Sequence, residues 1–280
     1  MSSTEITVRW LGTNAWEITG NGATVLVDPW VTRFRTGAPK GEEWDMDTPL
    51  EIDEAAVDEH IGGADCVLVT HGHWDHITDV PYVAAKTGAT VLGTETHLNL
   101  LRALDAPEAQ LGQVSGGERY RFDGFTVEVF GAHHNPGGRH KRLLFAGSRV
   151  GGVPKRPKTV RDLVEGGSLA YQVTMGEATL FIGCTANFQE RELEGIRPTV
   201  LFMQSGGAGE RGARYAERLL NAAGHPPYVV PTHWDDYEEP LTEPAVDWLG
   251  AHALGEQVAE FSPESEYVLL DHLESFTFEG

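Results

Sequence analysis

Apolar and polar positions alternate along the first thirty residues. "ITVRWL" (6–11), "AWEIT" (15–19) and "ATVLVD" (23–28) are rich in β-branched and aromatic residues, and "GNG" between the last two marks a hairpin, so the pattern predicts an antiparallel opening. The next strand differs. "DCVLVT" (65–70) is a continuous apolar run, the mark of a strand buried on both faces, and the acidic stretch 37–64 before it reads as loop with a short helix near "DEAAVDEHI". A βα rhythm follows: a helix over "VPYVAAKTG" ending at Gly88, a strand at "TVLG", and a helix over "TETHLNLLRAL" capped by Thr94 or Thr96. "RYRF" and "FTVEVFGA" form a hairpin about Asp123 and Gly124, "LAYQVT" and "TLFIGC" pair around "MGEA", and "FQERELEG" reads as a short helix. The last third alternates again: "TVLFMQ", an amphipathic helix over "ARYAERLLNAAG", "YVVPTH", a helix over "EPAVDWLGAHAL", then edge strands "EYVLL" and "SFTFE". With no short repeat, low-complexity tract or linker, residues 1–280 are expected to form one α/β domain of two sheet-rich halves with helices outside.

Composition narrows the function classes. No run approaches the roughly 18 apolar residues of a membrane span, and the N-terminus lacks a basic region followed by an apolar one, so a cytoplasmic location is expected. Two cysteines in unlike settings argue against a disulfide. A net charge of -21, with no Lys or Arg after Arg218, disfavours nucleic acid and anionic lipid as partners and leaves a small molecule. Positive charge gathers instead in 138–162, either a solvated loop or a flap, with Arg139 the candidate contact to an anionic substrate.

The candidate chemistry stands at strand ends. His71, His73, Asp75 and His76 follow the first buried strand, His133 and His134 follow "FTVEVFGA", Cys184 follows "TLFIG", and His233 follows "YVVPT". One such ending is commonplace; four independent ones point to a shared site. In a turn leaving a strand, His71 and His73 can share one ion while Asp75 and His76 reach a second. Imidazole and carboxylate suit zinc, manganese and iron, and a thiolate at Cys184 tilts the set toward zinc. Cys66 lies mid-strand and reads as core, and His60, His97, His140, His225, His252 and His272 read as structural or solvated.

"THGHWDH" resembles the HxHxDH signature of the metallo-β-lactamase fold superfamily. "VRWLGTNAWEI", "ATVLVDPW", "HGHWDH", "GAHHNPGG", "TLFIGCT" and "PTHW" occur in the order those proteins use, over positions 7–234. The N-terminal pieces most resemble the branch that includes ascorbate-phosphate lactonase and the N-acyl phosphatidylethanolamine phospholipase D enzymes. The resemblance implies an αββα four-layer sandwich with a dinuclear metal site at one edge of the paired sheets. It gives His71, His73 and His134 (or His133) to a first metal and Asp75, His76 and His233 to a second. Asp28, in "LVDPW", would hold a ligating histidine by its free N–H. One departure stands out: Cys184 occupies the place of the aspartate that bridges both metals in most of these hydrolases.

The expected activity is hydrolysis of a small ester, lactone, amide or thioester by metal-bound hydroxide, with Asp75 orienting the hydroxide and taking its proton. Two zinc ions are expected, with one ion, iron or manganese as alternatives. Trp30, Trp74 and Trp234 lie beside site residues and suggest an apolar or planar substrate. The other readings are a phosphodiesterase, an iron-dependent oxidoreductase or lyase, and a degenerate metal-binding protein. The flavin-partnered diiron members are disfavoured, because they carry glutamate where this chain has His73.

Overall fold

In the computed structural model, residues 5–37, 45–136, 142–206 and 213–280 are described. The N-terminal half builds one sheet from β1 (Glu5–Trp10), β2 (Trp16–Gly20), β3 (Ala23–Val27), β4 (Cys66–Leu68), β5 (Thr90–Gly93) and β6 (Leu111–Gln113). The second sheet uses β7 (Arg119–Arg121), β8 (Phe125–Ala132), β9 (Ser168–Met175), β10 (Ala178–Ile182), β11 (Val200–Gln204), β12 (Tyr228–Thr232) and β13 (Glu266–Tyr267). The chain then returns as β14 (Ser275–Glu279) to the free edge of β1, giving the orders β14-β1-β2-β3-β4-β5-β6 and β13-β12-β11-β10-β9-β8-β7. β1, β2 and β3 are antiparallel neighbours, whereas β3 to β6 run parallel, as do β10 to β13.

Alternation in β1 sends Ile6, Val8 and Trp10 inward against Val127, Tyr171, Leu180 and Phe202 of the other sheet. β4 and β11 are buried on both faces because helices cover the outside. α1 (Glu54–His60), α3 (Val80–Thr87) and α4 (Glu95–Ala103) pack on the outer face of the first sheet. α5 (Tyr215–Ala223) and α6 (Ala251–Phe261) pack on that of the second. The αββα sandwich follows. Among the described residues no helix is long and apolar enough to cross a membrane.

Two expectations change, and one strand was not expected. "FQERELEG" forms successive turns rather than a helix: Leu193 N donates to Glu190 O and Ile196 N to Leu193 O, bonds of three-residue spacing that end at the left-handed Gly195. The last helix begins at Ala251, because the Asp247 carboxylate accepts the amides of Gly250, Ala251 and His252 and stops the backbone there. β6 carries no pattern of its own and exists only as an added edge to β5.

His97 shows how a structural histidine is recognised. Its Nδ1 accepts from Thr94 N in a capping box, and its Nε2 donates to Glu165 O across the turn that faces the site. Burial, against these contacts, depresses its pKa to about 4. The unfolded chain therefore binds a proton that the folded one refuses. Stability is complete above the unfolded value and falls by roughly 3 kcal/mol as pH drops from 6.5 to 4. The gap in unfolding free energy between wild type and His97→Gln is expected to shrink by that order between about pH 7 and 4.5, read by urea titration; a pH-independent gap contradicts it.

Candidate metal centre

The site is assembled at the C-terminal ends of strands from both sheets. Asp28 closes β3 with φ near 40°, and its carboxylate catches the next strand's exit by accepting Thr70 N at 2.7 Å. The chain then turns through His71–His73 into the single helical turn α2 (Trp74–Ile77), which carries Asp75 and His76. His134 follows β8, and His233 follows β12, where its amide donates to Thr13 O at 2.8 Å.

Two groups of ligand atoms result, each within 4.8 Å of one another: His71, His73 and His134, and Asp75, His76 and His233. The protons can be assigned from the hydrogen-bond network. His71 Nδ1 faces Thr70 Oγ1 at 3.1 Å, His73 Nε2 faces Leu144 O at 3.1 Å, His134 Nδ1 faces Asn135 O at 2.9 Å and His76 Nδ1 faces Asp28 Oδ2 at 2.7 Å. Carbonyl and carboxylate oxygens only accept, and Thr70 Oγ1 already donates to Asp28, so each of these nitrogens carries its hydrogen. The opposite nitrogens then hold lone pairs. His71 Nε2 and His73 Nδ1 stand 3.1 Å apart as two acceptors, and the buried His76 Nε2 makes no hydrogen bond. Facing lone pairs repel unless a cation lies between them, so the residues present fit a metal.

Electrostatics agree with that fit at His71, His73 and Asp75; at His76 burial acts downward, but Asp75 and Asp28 beside it raise the imidazole overall, so a metal there displaces a proton. Burial, then the neighbouring imidazoles, hold His71 and His73 well below the ordinary histidine range, so they stay neutral. Burial pushes the Asp75 carboxyl up, but His76 and then His233, whose Nε2 lies 3.2 Å from Oδ2, bring it well below the usual carboxylate range. Deprotonated imidazoles and an ionised carboxylate are the forms that bind a metal.

A cavity of about 150 Å³ opens over both groups. Trp74 lines it, but Trp30 and Trp234 do not. Trp30 packs on Phe34 in the layer under the helices, and Trp234 stacks on Trp10 at 4.7 Å. Neighbours in sequence to a ligand point elsewhere when the backbone turns, which corrects the expectation for these two. The aromatic rim comes instead from Phe145, Tyr237 and Trp248, which no motif marked; Trp248 is 39% exposed at the mouth. Arg139 lies outside the described residues. His133 is exposed and offers its carbonyl to Thr185, leaving His134 in the site.

The family model described as the beta-lactamase superfamily domain matches residues 7–233. The chain belongs to that superfamily. A metal-dependent hydrolase of Myxococcus xanthus, UPF0173, is 29% identical over 248 residues, 86% of this chain and 74% of the relative. Igni18, a metallo hydrolase of Ignicoccus hospitalis, shares the fold with a TM-score of 0.65 at 17% identity over 99% of both chains. The metallo-beta-lactamase fold protein YhfI of Bacillus subtilis does so at 0.60 and 13%, over 100% of each chain. The protein is a metal-dependent hydrolase of the beta-lactamase superfamily.

Within that superfamily the placement of Cys184 is a correction. It belongs to neither ligand group and does not line the cavity; its Sγ lies 3.4 Å from His71 Nδ1, behind the ring, and donates to Thr70 O at 3.8 Å. Burial pushes the thiol far up, away from the thiolate a metal needs. The side chain is too short to come round the imidazole. Asp28, by contrast, takes up four donors: Thr70 N and Oγ1, Asn14 Nδ2 and His76 Nδ1. It orients His76 directly and His71 through Thr70, one histidine from each group. Asp28→Asn turns one acceptor into a donor facing donors, and metal affinity is expected to fall about 10- to 100-fold in competition with a chromophoric chelator. Unchanged affinity contradicts this role.

Proposed function

We propose that the two groups hold two divalent ions, zinc foremost, and that the protein hydrolyses an ester, lactone, amide or thioester bond of a small molecule. The observation carrying this reading is the pair of lone-pair nitrogens, His71 Nε2 and His73 Nδ1, pressed together at 3.1 Å beside a second, carboxylate-bearing group. Five imidazoles and one carboxylate suit zinc without Cys184. Bound ions supply Lewis acidity, which acidifies water and polarises the oxygen that gains charge. Asp75, ionised and in contact with His233, accepts the proton of the attacking water and returns it to the leaving group. The aromatic rim around Trp74 and Trp248 excludes bulk water and receives the apolar part of the substrate.

Elemental analysis of protein purified without added metal is expected to find about two zinc per chain. A panel of chromogenic carboxylic esters, lactones, amides and phosphodiesters should be cleaved on the acyl side, with activity lost to a chelator and restored by zinc. One iron per chain, or turnover of phosphodiesters alone, overturns this reading.

A further inference from the structure

The mechanism makes no use of Gln204. Gln204, the last residue of β11, lines the cavity and is only 2% exposed. Its orientation is set from Asp28. That carboxylate accepts Asn14 Nδ2 at 2.7 Å, so Asn14 turns its Oδ1 the other way, toward Gln204. Gln204 must then present nitrogen: Nε2 donates to Asn14 Oδ1 at 2.7 Å and to Gly183 O at 3.2 Å, which uses both of its hydrogens. Thr232 Oγ1, lying 3.0 Å from the same Asn14 oxygen, completes the lock. A flip of the glutamine would set its oxygen against two acceptors. Both hydrogen bonds of the side chain to described residues run through Nε2, so Oε1 is the end left for the cavity that Gln204 lines. The neighbouring Thr185 hydroxyl offers no such freedom, since it accepts from Asn135 N and donates to His133 O.

We propose that Gln204 Oε1 is a specificity-determining acceptor that reads an N–H beside the reacting carbonyl, so that the fitted substrates are carboxamides, imides or carbamoyl compounds rather than esters. The assignment rests on the hydrolase reading for the identity of the reacting carbonyl. It deepens that reading in a definite direction: the carbonyl oxygen meets the metal groups, the N–H meets Gln204, and the flat apolar body meets the aromatic pairs. Trp74 and Phe145 stand 5.2 Å apart beside His73, and Tyr237 and Trp248 stand 5.3 Å apart beside His233. A rigid, pre-oriented acceptor in a small cavity penalises any isostere that cannot donate, because the oxygen loses water and gains nothing.

Benzamide and acetophenone test this, since they differ only by NH₂ in place of CH₃. Binding of each to the protein with the metal it carries is read by quenching of tryptophan fluorescence. Wild type is expected to bind benzamide at least about 10-fold more tightly, and Gln204→Leu to bring the two within about threefold. Equal affinities in wild type, no binding of either, or a preference that survives in Gln204→Leu overturns the proposal. Gln204→Met, of the same length, takes the place of the leucine variant if that one fails to fold. Taking the preference as a ratio within one protein cancels any change in metal content caused by loosening Asn14. Turnover of 4-nitroacetanilide and 4-nitrophenyl acetate is measured separately: absence of both, with the binding preference intact, removes the hydrolase reading and leaves the assignment of Gln204 standing.

Discussion

Asp75→Ala is expected to lower kcat/KM by about 10³-fold, roughly 4 kcal/mol of transition-state stabilisation, and to lower metal content in the same preparation. Both effects follow from one atom. Asp75 is the sole carboxylate in either ligand group, so its loss leaves His76 and His233 with no negative charge beside them to balance a dication. It also removes the proposed proton acceptor, whose contribution alone is on the order of 10²-fold or more. The fold should hold, because Asp75 lies on the one-turn α2 and its neighbours on that turn, Trp74 and Ile77, remain packed in the core. The measurement is steady-state kinetics with elemental analysis of the same sample. Retention of turnover, with or without metal, contradicts the site assignment.

The second large effect is expected at a residue with no side chain. Gly72 separates His71 from His73, and its amide donates to Glu165 O at 2.9 Å where the segment 163–167 crosses the turn. A Cβ added there would lie 2.3 Å from Val164 O, and 3.3 Å from both Glu165 O and His97 Cδ2. The nearest of these is backbone, in a segment tied down by Glu165 N to Phe145 O and Gly166 N to Gly147 O, so the turn must move instead. Gly72→Ala is expected to cost about 3 kcal/mol of stability, the upper end of ordinary overpacking. It should also cost about 10²-fold in activity, because both flanking histidines shift together. Denaturant unfolding and kinetics check the two parts. A variant of wild-type stability would show that this crossing is not tight.

These two positions differ in how legible they are. Asp75 is plain from the chain: four metal-competent residues within six positions, directly after an apolar strand, have few structural explanations. Gly72 is legible only as a short spacer between ligands, and the need for glycine comes from a carbonyl about ninety residues away. The strands show the same division. Alternation and apolar runs marked almost every one, because side-chain period and burial are local properties of a two-layered sheet. β6 and the late start of α6 escaped because each depends on a partner: the edge of β5, and the carboxylate of Asp247 with the Trp234 carbonyl that receives the amides of Trp248 and Leu249. That second arrangement also puts Trp248 at the cavity mouth, in a stretch whose pattern reads as helix.

What the chain determined by itself was the inventory of candidates, His71, His73, Asp75, His76, His133 or His134, Cys184 and His233, and the strand ends that carry them, while the tertiary structure brought His134 in and left Cys184 out. Ligand chemistry belongs to the residue type, and a strand end is a local event. Direction was decided only by the tertiary structure. The His73 proton is fixed by Leu144 O, those of His76 and, through Thr70, His71 by Asp28, and the outward oxygen of Gln204 by Asn14, 190 residues away in sequence. Hydrogen bonds between such distant groups leave no periodicity along the chain, since their geometry exists only once both sheets have closed over the same core.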